Sequence, residues 1–212
     1  MGKKAVFFCG IDGSGKSTHA CMAFKDLKAK GVNCRYEWLR YPRFFSFIPL
    51  ALSSLLVSTR EMHAPADNTT HKGPFHSNKV IIRLWILFQL IDAFLSMLKN
   101  VYLPVLVGYT LIIDRCVIDT LIDVAVSLRN EKLIFSVMGR SFLKIIPNNS
   151  LVLIFDLKES VAALRKDSNG GVDTLRRKRM HYRSLSKIYC WNIISTDEPL
   201  SKVHIKVMKL IH

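Results

Sequence analysis

Continuous apolar runs recur through the chain and are short: Ala5-Val6-Phe7-Phe8-Cys9, Leu111-Ile112-Ile113 after Thr110, and Leu151-Val152-Leu153-Ile154-Phe155. They do not alternate with polar residues, which is the pattern of strands buried on both faces of a parallel sheet. Val32 to Leu39 and Trp191 to Ser195 supply two further strands. Between them the period changes to that of helices. Ser17 to Lys30 places Ala20, Ala23, Phe24 and Leu27 on one face and stops at Gly31. Ile118–Asn130, Lys132–Lys144, Glu159–Lys166 and the amphipathic Glu198–Ile211 read as helices too. Strands alternating with helices predict an α/β fold around a parallel sheet. No repeat, linker or low-complexity tail interrupts the pattern, so residues 1–212 read as a single domain.

Two stretches stand apart. Lys79 to Asn100 is apolar around nearly the whole helical wheel, broken by Arg83, Gln89 and Asp92. This predicts a core helix, and its interior charges argue against a membrane span. Arg83 and Asp92 are thereby candidate pocket residues. Phe44 to Thr59 carries no charge, is interrupted by Pro49, and is shorter than the ~20 residues of a spanning helix. It reads as a buried or pocket-covering helix, with a membrane-surface or partner-docking helix as the alternative. Glu61 to Asn78 is a loop by its turn formers, and the spacing of His63, His71 and His76 fits no compact metal motif.

The chemistry enters at the end of the first strand. Gly10-Ile11-Asp12-Gly13-Ser14-Gly15-Lys16-Ser17-Thr18 is G-x-x-x-x-G-K-[ST] between a strand and a helix. Glycines let backbone N–H groups close around phosphate oxygens, and the helix N-terminus adds a positive dipole end. Lys16 is placed to reach the β- and γ-phosphates of a nucleotide, and Ser17 to hold Mg²⁺. Asp114-Arg115 ends another core strand: the carboxylate suits Mg²⁺ or its waters, and the arginine suits a phosphoryl group. Arg40, Tyr41 and Arg43 exit the second strand, where open α/β sheets meet ligands. Asp167-Ser168-Asn169-Gly170-Gly171 is a hinge ahead of Arg176, Arg177, Lys178, Arg179 and Arg183, which can close over a polyphosphate.

Lys and Arg number 31 against 16 Asp and Glu, a net charge of +15. This favours an anionic partner, whether nucleotide, nucleic acid or acidic lipid, without choosing among them. The five cysteines include no C-x-x-C pair and read as reduced thiols, neither disulfides nor zinc ligands. The apolar N-terminal run enters the glycine loop at once, and Met1-Gly2 lacks the Ser or Thr of a myristoylation signal, so the expected location is cytoplasmic.

Taken together these segments resemble the thymidylate kinase family of nucleoside monophosphate kinases. The similarity lies in the glycine loop Gly10–Thr18, in Leu39-Arg40-Tyr41-Pro42, in Leu87-Phe88-Gln89-Leu90-Ile91-Asp92, in the Asp114-Arg115 step, and in Asp167–Tyr189 at the place of the family's LID. The resemblance implies a P-loop three-layer fold with a five-stranded parallel sheet, a LID at about 167–183, and use of ATP and Mg²⁺. It implies phosphoryl transfer to a nucleoside monophosphate, typically dTMP. Gly10, Ile11, Asp12, Gly13, Ser14, Gly15, Lys16, Ser17 and Thr18 would bind ATP. Lys16, Arg115, Arg176 and Arg177 would be catalytic, Ser17 and Asp114 would serve Mg²⁺, and Asp12, Arg40, Tyr41, Asp92 and Arg115 would meet the acceptor. A homodimer fits this reading, and no stable nucleic-acid or membrane partner is expected. Ala93 stands where the family has an arginine facing the base, Pro42-Arg43 replaces the usual second-strand exit, and Phe44–Thr59 is unusually apolar. All three concern the acceptor. Two alternatives follow: a P-loop kinase acting on an apolar or lipid-linked acceptor, and a non-catalytic ATP-binding module at a membrane or nucleic acid.

Overall fold

The computed structural model describes residues 4–39, 79–165 and 171–211. Arg40, Tyr41, the apolar run 44–59, the histidine-bearing loop and hinge residues 167–170 lie outside the described residues.

Each expected strand is present. β1 (Ala5–Gly10), β2 (Cys34–Trp38), β3 (Thr110–Asp114), β4 (Ser150–Asp156) and β5 (Asn192–Ser195) form one sheet in the order β2-β3-β1-β4-β5. Every pairing is parallel, with Phe8 opposite both Asp114 and Leu153. β1 lies at the centre, so the loop that follows it is delivered to the middle of the sheet's carboxyl edge.

The helices are α1 (Lys16–Ala29), α2 (Lys79–Met97), α3 (Leu103–Leu106), α4 (Val117–Ser127), α5 (Val137–Lys144), α6 (Glu159–Arg165), α7 (Gly171–Tyr189) and α8 (Leu200–Ile211). The helix expected over 132–144 divides: a 3₁₀ turn, Glu131–Phe135, precedes Ser136, whose hydroxyl accepts from Gly139 N–H and caps α5.

The long apolar helix departs further from expectation. α2 runs on through a π turn, Leu98–Tyr102, into α3. Pro104 has no N–H for the carbonyl of Asn100, and the wider turn absorbs that break. The stretch Val80–Leu106 is long and apolar enough to cross a membrane by length and composition, and only 33% of its apolar window is buried. Arg83, Gln89 and Asp92 therefore do not exclude a span on composition. Nor is this a fully enclosed core helix, since Val80, Phe94, Leu98 and Leu106 are exposed. The chain divides into two compact units at this helix: 4–39 with 96–211 form one, and 79–95 are the described part of the other. Arg83, Asp92 and Ala93 belong to the latter.

In the larger unit, the continuous apolar strands are covered on both faces, as their pattern requires. On one face Val6, Phe8, Ile112, Leu153 and Phe155 pack with Ala20, Ala23 and Leu27 of α1 and Val203 and Val207 of α8. On the other, α4 packs on β1 and α7 on β4 and β5. Phe8 is fully buried and stacks on Phe155 at 5.5 Å between ring centres. Phe8→Ala removes this ring from a site that cannot collapse, and a loss of about 3–5 kcal/mol of stability is expected in urea unfolding.

Candidate functional site

The loop after β1 needs glycine for two separate reasons. Gly10 has φ +146° and a Cβ there would lie 2.6 Å from the Phe155 carbonyl oxygen. Gly13 has φ +81° and a Cβ would lie 2.5 Å from that of Ala162. Both positive φ and close backbone approach exclude other residues. α1 then begins at Lys16 with no side chain capping it, so its first N–H groups face the loop's concavity. The buried Ser14 hydroxyl has no hydrogen-bond partner among the described residues. A groove of about 460 Å³ opens here, lined by residues 12–19 together with Arg115, Arg165, Thr196 and Glu198.

Three charged side chains organise the groove. Asp12 is ion-paired to Arg115 through Nη2, and Lys16 Nζ lies 3.8 Å from the same carboxylate oxygen while donating to the Ile11 carbonyl at 3.0 Å. Burial works to raise the Asp12 carboxyl, but Lys16 and Arg115 outweigh it and hold its pKa at about 2. Burial lowers the Lys16 ammonium, opposed by Asp119, Asp12 and Asp114. Burial also works to lower Arg115, and its acidic neighbours reverse the effect and raise it. Arg115 adopts φ +67°, a left-handed conformation rare outside glycine. Its N–H donates to the Phe8 carbonyl at 3.2 Å, so the chain turns sharply at the sheet edge and the guanidinium is aimed at Asp12.

Asp114 closes β3 beside the loop and is buried. One oxygen accepts from Tyr36 Oη at 3.0 Å; the other is buried and has no hydrogen-bond partner among the described residues. Asp114 does not line the groove, though its charge acts on Lys16; its orphaned oxygen and the Ser17 hydroxyl in the groove are oxygen donors of the kind a hydrated divalent cation takes.

Asp119 supports the loop from beneath and is a residue that the pattern of the sequence did not single out. It is buried on α4 and accepts from the N–H of Gly10 at 3.4 Å, from the N–H of Cys116 at 2.8 Å and from Tyr182 Oη at 2.6 Å. Burial pushes its carboxyl up, against the pull of Lys16, Tyr182 and Arg115. Cys116-x-x-Asp119 is a capping box, and an acid three residues into an otherwise apolar helix was the available signal. Cys9 and Cys116 place their sulfurs 2.9 Å apart beside Asp119, and the three could hold a metal by distance. Burial raises both thiols and favours their protonated form, so the pair behaves as two small buried residues sharing a weak S–H contact.

The basic helix α7 is engaged elsewhere. Arg176 pairs with Glu159 at 3.1 Å, Arg177 with Glu131 at 2.8 Å, and Arg179 forks onto Asp156 and Glu159. Neither Arg176 nor Arg177 lines the groove; Arg165, at the end of α6, does. The structure thus brings together Asp12, Lys16, Ser17, Arg115 and the glycine loop, with Asp114 adjoining. Arg40 and Tyr41 are outside the described residues, and Asp92 belongs to the other unit.

No family model and no curated protein sequence matches the chain. The crystal structure of thymidylate kinase from Ehrlichia chaffeensis matches over 100% of both chains, with a TM-score of 0.61 at 16% identity. The fold is that of a thymidylate kinase. This includes the five-stranded parallel sheet, the helices on both faces and the glycine loop after the central strand.

His19 supplies a pH test of the groove's packing. Its ring stacks on Phe155 at 5.4 Å, its Nδ1 is buried without a hydrogen-bond partner among the described residues, and burial, aided by His204, lowers its pKa to about 4. Between pH 6.5 and 4 the unfolded chain takes up a proton here that the folded chain refuses, so stability falls as pH falls through this window. His19→Phe is expected to flatten that part of the stability–pH curve, measured by urea unfolding at successive pH values.

Proposed function

We propose that the chain is a nucleoside monophosphate kinase that transfers the γ-phosphoryl group of ATP to an acceptor phosphate, with dTMP as the leading acceptor. The observation that carries this reading is the Asp12–Arg115 ion pair at the lip of the phosphate-binding loop. A loop alone supports nucleotide binding. An arginine held over its edge, facing the same groove as Lys16, adds a second anion site where an attacking phosphate would stand.

The chain's residues would act by position and charge. Backbone N–H groups from Gly13 to Ser17 cradle the donor phosphates. Lys16 exchanges the Ile11 carbonyl for a phosphate oxygen, a change that returns a buried ammonium to an anionic partner. Arg115 keeps Nη2 on Asp12 and offers its remaining N–H donors to the acceptor phosphate. Asp12 fixes the guanidinium plane and so sets the line of attack. The acceptor oxygen is already anionic, so no general base is required. Mg²⁺, when bound, neutralises charge on the β- and γ-oxygens, and Ser17 and Asp114 are the residues that would hold it. Arg165 stands in the groove as the cation for developing charge, and Arg176 and Arg177 would join only after leaving Glu159 and Glu131.

A second reading changes the acceptor. The exposed apolar side chains along Val80–Leu106 favour an apolar or lipid-linked phosphate. Product analysis with ATP, Mg²⁺ and a panel of nucleoside monophosphates separates the two: a labelled nucleoside diphosphate supports the first, and its absence across the panel overturns it. Lys16→Ala is expected to leave less than about 1% of wild-type turnover, the scale of losing a preorganised transition-state contact. Arg115→Ala is expected to raise the acceptor KM and lower kcat together, while the ATP KM changes little. An unaltered acceptor saturation curve would remove Arg115 from the acceptor site.

A further inference from the structure

The opposite edge of the sheet carries a second cavity. It measures about 320 Å³ and is walled by the end of α5, the turn into β4 and the turn between α7 and β5. Its chemistry is distinctive. Arg140 and Lys144, one helical turn apart on α5, bring two positive charges, and neither makes an ion pair with any described residue. Among the described residues, no carboxylate lines the cavity. Tyr189 and Trp191 stack at 5.1 Å with their planes 18° apart and form one wall. The Ser150 hydroxyl, also in the lining, has no hydrogen-bond partner among the described residues.

The aromatic wall is held rigidly. Cys190, between the two rings, has φ +54°, so the chain reverses direction and sets residues 189 and 191 side by side. Trp191 N–H donates to the Ser186 carbonyl at 3.0 Å, and the Ser186 hydroxyl donates to the Trp191 carbonyl at 2.7 Å. A left-handed turn at a non-glycine residue, closed by two hydrogen bonds, fixes the backbone that carries the two stacked rings. Cations at the C-terminal end of a helix also complement its dipole, which is the ordinary reason for finding them there. That reason does not account for the cavity, its aromatic wall or its unsatisfied hydroxyl.

We propose that this cavity is a second nucleotide site, taking the base of a mononucleotide against Tyr189–Trp191 and its phosphate on Arg140 and Lys144. The volume lies at the lower end of the ~300–1,000 Å³ typical of small-molecule pockets, which suits one nucleotide and no more. β4 runs from this cavity to the other edge of the sheet, so the site stands about 20 Å from the glycine loop and does not share its residues. The inference is independent of whether the chain is a kinase.

The test follows the Trp191 indole N–H by NMR in full-length chain labelled with ¹⁵N-tryptophan, its resonance identified by Trp191→Phe. AMP is titrated, with adenosine and ribose 5-phosphate as the ring and the phosphate alone. A saturable shift with AMP is expected at a Kd below about 1 mM. Each half-ligand should bind at least about tenfold more weakly, as should AMP to the Arg140→Ala/Lys144→Ala chain, since both the ring and the charge contribute. These two side chains are exposed and lie outside the P-loop groove, so the double variant keeps its fold. A Trp191 resonance that does not move, or that moves equally in the double variant, overturns the proposal. A short single-stranded oligonucleotide binding more than about tenfold tighter than AMP also overturns it, in favour of a nucleic-acid strand.

Discussion

One buried carboxylate ties the larger unit together. Asp119 accepts a hydrogen bond from the first glycine of the phosphate-binding loop, a second from the cap of its own helix, and a third from Tyr182 on the basic helix α7. A carboxylate taken out of water costs several kcal/mol unless its lone pairs are met, and here three donors meet them. Those donors come from three separate parts of the chain. The loop's position, the entry of α4 and the seating of α7 are therefore set by one group. Tyr182 is itself fully engaged, its hydroxyl pushed up by burial and by Asp119, so the link is a donor–acceptor bond and not a mobile proton.

The groove shows the same balance at its surface. Asp12 is held ionised by two cations although burial opposes it, and those cations are in turn kept from repelling each other by Asp12 and Asp119. A polyphosphate entering such a site replaces one set of anionic partners with another. α7 shows how this is managed at a distance. Its arginines are satisfied by Glu131, Asp156 and Glu159, so a strongly basic segment sits beside the groove without crowding it with unpaired positive charge.

Much of this was readable from residues alone because the signals were local. β1, β3 and β4 are continuous apolar runs, the pattern of strands covered on both faces, and the glycine loop lies between strand and helix. Asp114-Arg115 announced itself as charge at the end of a core strand. What the pattern missed depends on contacts between distant segments. Asp119 looks like one acid in an apolar helix until Gly10 and Tyr182 arrive beside it. Arg176 and Arg177 look available until Glu159 and Glu131, far from them in sequence, take them up. Arg165 drew no notice because a single arginine at a helix end is commonplace. The apolar stretch after Lys79 misled through its wheel: apolar composition all round indicates burial only when something covers it, and Val80, Phe94 and Leu106 are uncovered.

The strand order has a consequence for how the chain comes to be folded. β1 is made well before its neighbours on either side, β3 and β4, with Ala5 registered against Leu111 and Ser150. During synthesis it waits as an apolar ribbon with both edges open, the state most exposed to mispairing with other nascent chains. The glycine loop cannot take shape meanwhile, because the carbonyls of Phe155 and Ala162 against which Gly10 and Gly13 are fitted have not yet been made. The loop's shape is thus deferred until β4 and α6 have been made, and a product ending before β4 would carry the whole motif without the backbone it is fitted against.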